Sequence, residues 1–332
     1  MDTESDVIYW KDKEEIILKV RGIKKYFPVR KGVFRKVSGW IRAVDGVDLD
    51  IAKGKTLGIV GESGCGKSTL AKLILMLIKP DSGKIIFEGR QIQDLSEKEL
   101  KPIRRKMQII FQDPFSSLNP RLTAAQTIEE GLEILGIPRS ERRKRIEEIL
   151  ELVGISKKDA DKYPHQFSGG QRQRIVIARA LSVNPVFIVC DEPVSALDVS
   201  VQAQIINLLR QLQEELGITY LFISHDINLV GYMSDMIAVM YLGKILEIGE
   251  TEEVLKNPLH PYTKILLSSV LEPDPRKRKR FSVKGEVDSG DIGSGCKFQR
   301  RCELFETDCL QEIPLKRVKE NHWVRCIKTK VT

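Results

Sequence analysis

Residues 61–69 read Gly61-Glu62-Ser63-Gly64-Cys65-Gly66-Lys67-Ser68-Thr69, between an apolar run at 55–60 and a helical pattern at 67–77. This spacing fits G-x-x-x-x-G-K-[ST], and a strand before it with a helix after it is the context that such a phosphate-binding loop (P-loop) requires. The glycines let successive backbone N–H groups curl around phosphates, and the helix directs its positive end at them. An ordinary glycine-rich turn is the alternative, which this context disfavours.

The loop contains the groups that a nucleoside triphosphate and its metal ion need. We expect Lys67 to reach the β- and γ-phosphates and the Ser68 hydroxyl to bind Mg²⁺. Cys65 could act as a redox switch, although a small filler of the loop is the favoured interpretation. The predicted phosphate-binding residues are Gly61, Ser63, Gly64, Cys65, Gly66, Lys67, Ser68 and Thr69.

Two carboxylates, Asp191 and Glu192, follow a second apolar run at residues 186–190. A buried strand would hold Asp191 rigidly beside Mg²⁺ as a ligand, and Glu192 is placed to polarise an attacking water as a general base. An acidic strand end is by itself more often a solvated turn. In a chain with a P-loop, it predicts a hydrolytic site.

A second anion site is predicted at Ser168-Gly169-Gly170-Gln171, before the helical pattern at residues 172–181. Ser168 is a typical N-cap, and the two glycines free backbone N–H groups at the helix start. A merely structural cap is the alternative. Because the P-loop already satisfies one nucleotide, the second loop indicates a nucleotide bound to another subunit.

Residues 15–270 alternate short β-branched runs with amphipathic helical patterns, which predicts an α/β domain with a mixed, largely parallel core sheet. Apolar residues recur at helical spacing over 201–216, so a helix is expected to cross between parallel strands at 186–190 and 218–224. A charged helical region, about 113–180, predicts an inserted helical subdomain. A basic linker at 273–280 begins a C-terminal extension over 271–332.

Composition is that of an average globular protein, with 332 residues, 42% hydrophobic residues and a formal net charge of +8. The charge suits an anionic ligand, a nucleic acid or a membrane surface without choosing among them. No apolar run approaches the roughly 18 residues of a membrane span, and the acidic N-terminus is unlike a secretory signal. We therefore expect a cytoplasmic protein with reduced cysteines.

In this order, the motifs resemble the nucleotide-binding domain of ABC transporters over nearly all of residues 15–270. The resemblance makes 168–171 the signature motif, Asp198 part of the D-loop and His225 the switch histidine that contacts the γ-phosphate. It also makes Gln112 the Q-loop glutamine, which senses Mg²⁺ and the attacking water. An aromatic ring that stacks on adenine is expected at Phe27, with Tyr26 as the alternative.

The resemblance implies a P-loop NTPase of ABC type that binds ATP and Mg²⁺. Two subunits, as a homo- or heterodimer, would hold two ATP molecules between the P-loop of one and the signature of the other. Closure and reopening of that dimer would drive two transmembrane permease subunits. The protein would then lie peripherally on the cytoplasmic face of the cell membrane.

Three further segments look like the dipeptide and oligopeptide importer ATPases, namely residues 27–34, 111–120 and 257–263. The first is similar to the second ATPase subunit type of that group, which works with an extracytoplasmic solute-binding protein. Nickel and oligosaccharide importers share these features and remain alternatives. A soluble ABC ATPase acting on nucleic acid is a further alternative, but the chain lacks the long coiled coil or the second nucleotide domain of such proteins, so no nucleic acid is expected.

Four cysteines cluster in the C-terminal extension: Cys296, Cys302, Cys309 and Cys326. Metal ligation is favoured over chance, and gaps wider than those of zinc knuckles favour a [4Fe–4S] cluster, with zinc as the alternative. The cations Arg300, Arg301 and Arg325 would offset the cluster's charge, and His322 is expected behind the ligands or on the surface. The segment also resembles the C-terminal region of peptide importers, some of which carry such a cluster. A metal would then supply the segment's folding energy.

Overall fold

The computed structural model describes residues 9–10, 14–31, 36–268, 293 and 295–329. The predictions that concern the N-terminal segment and the linker at 273–280 lie outside these residues. None of the helices that the described residues form is long and apolar enough to cross a bilayer.

The strands are β1 Ile16–Lys31, β2 Lys36–Ala52, β3 Thr56–Val60, β4 Ser82–Phe87, β5 Arg90–Gln91, β6 Met107–Ile110, β7 Phe187–Asp191, β8 Thr219–Ser224, β9 Met236–Tyr241, β10 Lys244–Glu250, β11 Lys316–Lys319 and β12 His322–Val324. The α-helices are α1 Lys67–Ile74, α2 Glu97–Lys106, α3 Pro114–Ser117, α4 Ala124–Ile134, α5 Arg139–Leu152, α6 Gly169–Leu181, α7 Val199–Leu216, α8 Ile227–Met233, α9 Thr251–Lys256 and α10 Pro261–Ser268.

Contacts divide the chain into two compact units. The first unit consists of Met1–Asp94 and Ser224–Thr332, and the second of Leu95–Ile223. The domains predicted from composition, 15–270 and 271–332, stay a prediction.

In the first unit, β1 and β2 form a long antiparallel pair, and the sheet continues in the order β2-β1-β4-β5. Its inward-facing positions, such as Leu18, Val20 and Leu49, are fully buried. The sequence analysis did not predict this sheet, because register shifts along β1, as between Val20 and Ile23, interrupt the alternation typical of strands.

The same unit contains strands in the order β11-β12-β10-β9-β3. Only β3 and β9 pair in parallel here; β9 with β10, β10 with β12 and β11 with β12 are antiparallel. Strand β3 is buried at all five positions and leads directly into residues 61–69. The mixed sheet confirms the predicted α/β class, and its antiparallel part includes the C-terminal extension.

In the second unit, β6, β7 and β8 pair in parallel. Helix α7 crosses between β7 and β8 as predicted, and Ile205, Leu209 and Leu212 form its buried face. Helices α3–α6 lie between β6 and β7 in sequence, which agrees with the predicted helical region. Helix α4 begins at a capping box, in which the Thr123 hydroxyl accepts a hydrogen bond from the Gln126 N–H.

Candidate functional site

Residues 61–69 form a loop that ends in helix α1. The Lys67 side chain is buried and folds back over the loop, where its Nζ donates to the carbonyl oxygens of Gly61 at 2.7 Å and Glu62 at 3.1 Å. The side chains of Ser63 and Ser68 are exposed, as is Gly64. The predicted ammonium and hydroxyl groups therefore both come from the first turn of α1, next to the loop.

The shape of this loop depends on Gly66. Its φ of 110° lies in the region that only glycine adopts readily, and a Cβ atom built there would lie 2.0 Å from the Ala43 carbonyl oxygen. Cys65, next to it, is only 4% exposed, and burial raises the pKa of its thiol. These features favour Cys65 as a filler of the loop over a redox switch.

Asp191 is the last residue of β7 and is buried at the strand end. Glu192 follows with a φ of 51°, which is unusual for a residue with a side chain. Its backbone is held on both sides: its N–H donates to the Ile223 carbonyl oxygen at 2.9 Å, and its carbonyl oxygen accepts from the Ser195 hydroxyl at 3.1 Å. Non-glycine residues in such conformations cluster at functional sites, where the surroundings enforce them.

Ser168 caps helix α6. Its hydroxyl accepts from the Gln171 N–H at 3.3 Å, and the Gln171 side chain accepts from the Ser168 N–H at 3.0 Å. Both residues are exposed, whereas Phe167 before them is buried. The Ser168 and Gln171 side chains at the N-terminus of α6 are thus accessible to solvent, which the predicted contact with another subunit requires.

The signature residues lie beside the predicted D-loop. A Cβ atom on Gly170 would lie 2.4 Å from Val201 Cγ1 in α7, and one on Gly169 would lie 3.3 Å from Leu197. Asp198 caps α7, and its hydrogen bonds with Ser200 and the Val201 N–H lower the pKa of its carboxyl. The structure therefore brings these two predicted motifs together in the second unit.

Gln112 and His225 each follow a strand end, Gln112 after β6 and His225 directly after β8. Both side chains are exposed. Asp226 caps the helix that follows, α8, by accepting from the Asn228 N–H at 2.8 Å. Each residue thus projects from a strand end, where the chain turns away from the sheet.

The two aromatic candidates on β1 differ in their surroundings. The Tyr26 hydroxyl donates to Asp45 at 2.6 Å, and Arg42 lies 5.9 Å from the centre of its ring. Burial and this hydrogen bond raise the pKa of Tyr26 to about 12. The Phe27 ring is 39% exposed. These surroundings favour Phe27 over Tyr26 as the ring that is available for stacking.

The four C-terminal cysteines are free thiols, of which Cys296 and Cys309 are buried. The Cys296 N–H donates to the Cys309 carbonyl oxygen at 2.8 Å, and burial, followed by the electrostatic influence of the other three thiols, raises the pKa of Cys296 to about 12. Among the described residues, no group of three or more His, Cys, Asp or Glu side chains forms a site for a metal ion. The arrangement as it stands therefore does not support the predicted metal-binding extension.

Two of the predicted neighbours of that cluster have other partners. Arg301 pairs with Glu62 of the P-loop, and the half-buried Arg325 donates from its guanidinium to the carbonyl oxygens of Ile245 and Ile313. His322 is wholly buried, and its Nε2 lies 2.8 Å from Glu247 Oε1, so the expectation that it lies at the surface is wrong.

The sequence analysis missed a cluster of aromatic residues beneath the P-loop. Phe298 packs against Tyr241 and Tyr262, with ring centres 5.5 and 5.4 Å apart, and His260 lies 5.9 Å from the same ring. The Glu62 N–H donates to the Tyr262 hydroxyl at 2.9 Å. The motif at 260–263 was the available signal, but it gives no indication of what Tyr262 contacts.

Comparison with known proteins shows which families and relatives this chain resembles. A family profile described as "ABC transporter" matches residues 44–195, and one described as "Oligopeptide/dipeptide transporter, C-terminal region" matches residues 246–309. The oligopeptide transport ATP-binding protein AppF of Bacillus subtilis is 50% identical over 320 residues, which are 94% of this chain and 97% of AppF. The oligopeptide transport ATP-binding protein OppF of the same organism is 46% identical over 316 residues, 94% of this chain and 96% of OppF.

Solved structures agree with the fold. The structure of cbiO1 from Clostridium perfringens, part of the transporter complex cbiONQ, matches with a TM-score of 0.65 and 33% identity, over 74% of this chain and 92% of cbiO1. The ATP-binding cassette MJ0796, solved as a dimer in a post-hydrolysis state with ADP and phosphate, matches with a TM-score of 0.60 and 34% identity, over 70% of this chain and 98% of the cassette.

Proposed function

The chain belongs to the ATP-binding subunits of ABC transporters, within the oligopeptide/dipeptide group, and we propose that it hydrolyses ATP to power the import of di- or oligopeptides. The observation that carries the proposal is the P-loop, in which Lys67 is held over the loop carbonyls while Ser68 is exposed. Near full-length similarity to AppF, an oligopeptide transport ATP-binding protein, supports the peptide substrate over nickel or an oligosaccharide.

Each predicted residue has a role in this proposal. Lys67 and the backbone N–H groups of 61–69 bind the phosphates, and Phe27 stacks on adenine. The Ser68 hydroxyl, the Asp191 carboxylate and the Gln112 amide are oxygen donors of the kind that Mg²⁺ prefers, so they would hold that ion. Bound Mg²⁺ supplies charge neutralisation to the phosphates.

Hydrolysis itself is assigned to two side chains. Glu192 orients a water molecule and accepts its proton as the water attacks the γ-phosphate, and His225 contacts the phosphoryl oxygens on which charge develops. The constrained backbone of Glu192 supports this assignment, because it fixes the point from which the side chain reaches the water and so lowers the cost of ordering the carboxylate.

Assembly is also part of the proposal. The exposed Ser168 cap and its neighbour Asp198 would meet ATP bound to a second, homologous ATPase subunit, in a dimer like that of the cassette MJ0796. Two permease subunits and, outside the membrane, a solute-binding protein complete the importer, with this chain peripheral on the cytoplasmic face. The competing function, an ABC ATPase that acts on nucleic acid, has no specific observation in its favour.

A second, narrower proposal is a [4Fe–4S] cluster rather than zinc, and it rests on the sequence, which places Cys296, Cys302, Cys309 and Cys326 within one short segment. The described residues do not arrange these thiols as a metal site. Four thiolates are the donor set of such a cluster, which is larger than a single ion and so needs its ligands further apart. Binding would require the thiols to lose their protons.

Anaerobic purification followed by iron, acid-labile sulfide and zinc assays tests this second proposal. We expect about four irons and four sulfides per chain, and Cys302→Ser should lower both in parallel. One zinc per chain, without iron and sulfide, would show that zinc is the bound metal. Protein without iron, sulfide or zinc would exclude both the cluster and the zinc site.

Two variants test the ATPase proposal together. Lys67→Ala should weaken ATP binding in an equilibrium titration, because the ammonium that faces the phosphates is lost. Glu192→Gln should bind ATP like the wild type but lose hydrolysis by about a hundredfold or more, because the general base is lost. Undiminished hydrolysis by Glu192→Gln would show that the base is another residue, and equal ATP affinity in Lys67→Ala would contradict the phosphate site.

A further inference from the structure

Glu62 places a negative charge inside the loop that must attract a triphosphate. It is the second residue of the P-loop, and its own carbonyl oxygen accepts a hydrogen bond from Lys67 at 3.1 Å. Its side chain is 27% exposed, so its charge is only partly screened by water. An unpaired carboxylate here would repel the ligand.

The partner of this carboxylate comes from the C-terminal extension. Arg301 Nη1 lies 2.9 Å from Glu62 Oε2 and 3.1 Å from Oε1, across a separation of 239 residues in the chain. The Arg301 side chain is 11% exposed, and it is held by the Tyr241 hydroxyl at 3.3 Å and lies against the Tyr241 and Phe298 rings. The guanidinium is thus fixed in place at the loop.

A separate contact fixes the backbone of the loop. The Glu62 N–H donates to the Tyr262 hydroxyl at 2.9 Å, and this bond involves neither the carboxylate nor Arg301. Loss of the Arg301 charge therefore leaves a backbone anchor in place. The electrostatic effect of Arg301 can be measured separately from the shape of the loop.

We propose that Arg301 is a positioning residue for the nucleotide site: it neutralises Glu62 and so keeps the P-loop attractive to the triphosphate. This rests on the proposed function, since it assumes that residues 61–69 bind ATP. Because Arg301 directly precedes Cys302, the segment that carries the four cysteines in the sequence also delivers this charge to the loop. The C-terminal extension thereby sets the nucleotide affinity of the ATPase.

Equilibrium titration of the full-length chain with ATP and ADP tests the proposal. In Arg301→Gln, ATP binding should weaken by roughly fivefold at low ionic strength, with a smaller loss for the less charged ADP. The difference should shrink as salt is added, because salt screens the repulsion. Arg300→Gln removes the same charge from the exposed neighbour and is expected to bind both nucleotides like the wild type.

Changes at Glu62 give the opposite sign. Glu62→Gln alone should strengthen ATP binding, because Arg301 is then unpaired beside the loop, and the Arg301→Gln/Glu62→Gln pair should return to within about twofold of the wild type. If Arg301→Gln does not fold, the stronger ATP binding expected of Glu62→Gln still tests the proposal. Three results would each overturn the proposal. Glu62→Gln could bind ATP more weakly than the wild type, the double variant could bind ATP as weakly as Arg301→Gln, or Arg301→Gln could lose the same affinity for ATP and for ADP.

The outcomes for this inference and for the proposed function can be told apart. A wild-type chain that binds ATP, with an Arg301→Gln variant that binds it equally well, overturns only the inference. A wild-type chain that fails to bind ATP, or a Lys67→Ala variant that binds it normally, contradicts the proposed function itself.

Discussion

His260 shows how a single buried residue is tied to the rest of the C-terminal motif. Its Nδ1 accepts a hydrogen bond from the Tyr262 N–H at 3.0 Å, and the residue is almost wholly buried. Burial lowers the pKa of His260 to about 4, because the charged ring cannot be solvated there; nearby Glu247 opposes this shift and Lys264 adds to it. The neutral ring is therefore the folded form at neutral pH.

This lowered pKa predicts a pH dependence of stability. Between about pH 6.5 and pH 4 the unfolded chain protonates His260 and the folded chain does not, so the free energy of unfolding falls as the pH falls through this window. The expected loss is on the order of 3 kcal/mol, and it levels off below about pH 4. His260→Asn, whose side-chain oxygen can also accept from the Tyr262 N–H, should lose less stability over the same window.

Denaturant unfolding at several pH values measures this effect. The exposed His165 provides the control, since His165→Asn should follow the wild type at every pH. If the wild type and His260→Asn lose stability in parallel between pH 6.5 and pH 4, His260 is not the group responsible.

Between elements, the decisive feature is the close approach of α6 and α7. The Gly170 position leaves no room for a methyl group, because Val201 Cγ1 would lie 2.4 Å away. Helix α6 begins at the predicted signature motif and α7 at the predicted D-loop residue Asp198, so the approach of the two helices fixes the spacing of Ser168 and Asp198. The sequence showed both motifs but not that they touch.

Gly170→Ala should therefore destabilise the chain by about 1–3 kcal/mol, the usual cost of forcing extra volume into a packed contact. Adding Val201→Ala should recover most of this loss, because the clashing methyl group is removed. Gly169→Ala is the matched control: its nearest contact would be 3.3 Å, and alanine favours a helix more than glycine does. The measurement is the free energy of unfolding of the wild type, Gly170→Ala, Gly170→Ala/Val201→Ala and Gly169→Ala. If Gly170→Ala is as stable as Gly169→Ala, the steric argument is contradicted.

At the level of the whole molecule, the C-terminal extension does not stand alone. Strand β12 pairs with β10, Trp323 packs edge-on against Tyr9 at 5.0 Å, and Phe298 joins the aromatic residues beneath the P-loop. The sequence analysis expected a metal to supply the folding energy, because a short segment has too little core of its own. In the structure, the segment also packs on the core of the first unit, which is a source of stability that the sequence analysis did not predict.

The sequence alone determined the local parts of the site: the P-loop, the strand end at Asp191 and the Ser168 cap. Several of their bonds join residues a few positions apart, as between Lys67 and Gly61 or between Ser168 and Gln171, so a short motif contains those partners. Tertiary structure decided the remainder, including the Arg301–Glu62 pair and the burial of His322. Those contacts depend on which distant segments the folded chain brings together, and a charge or an aromatic ring in the sequence does not specify its partner.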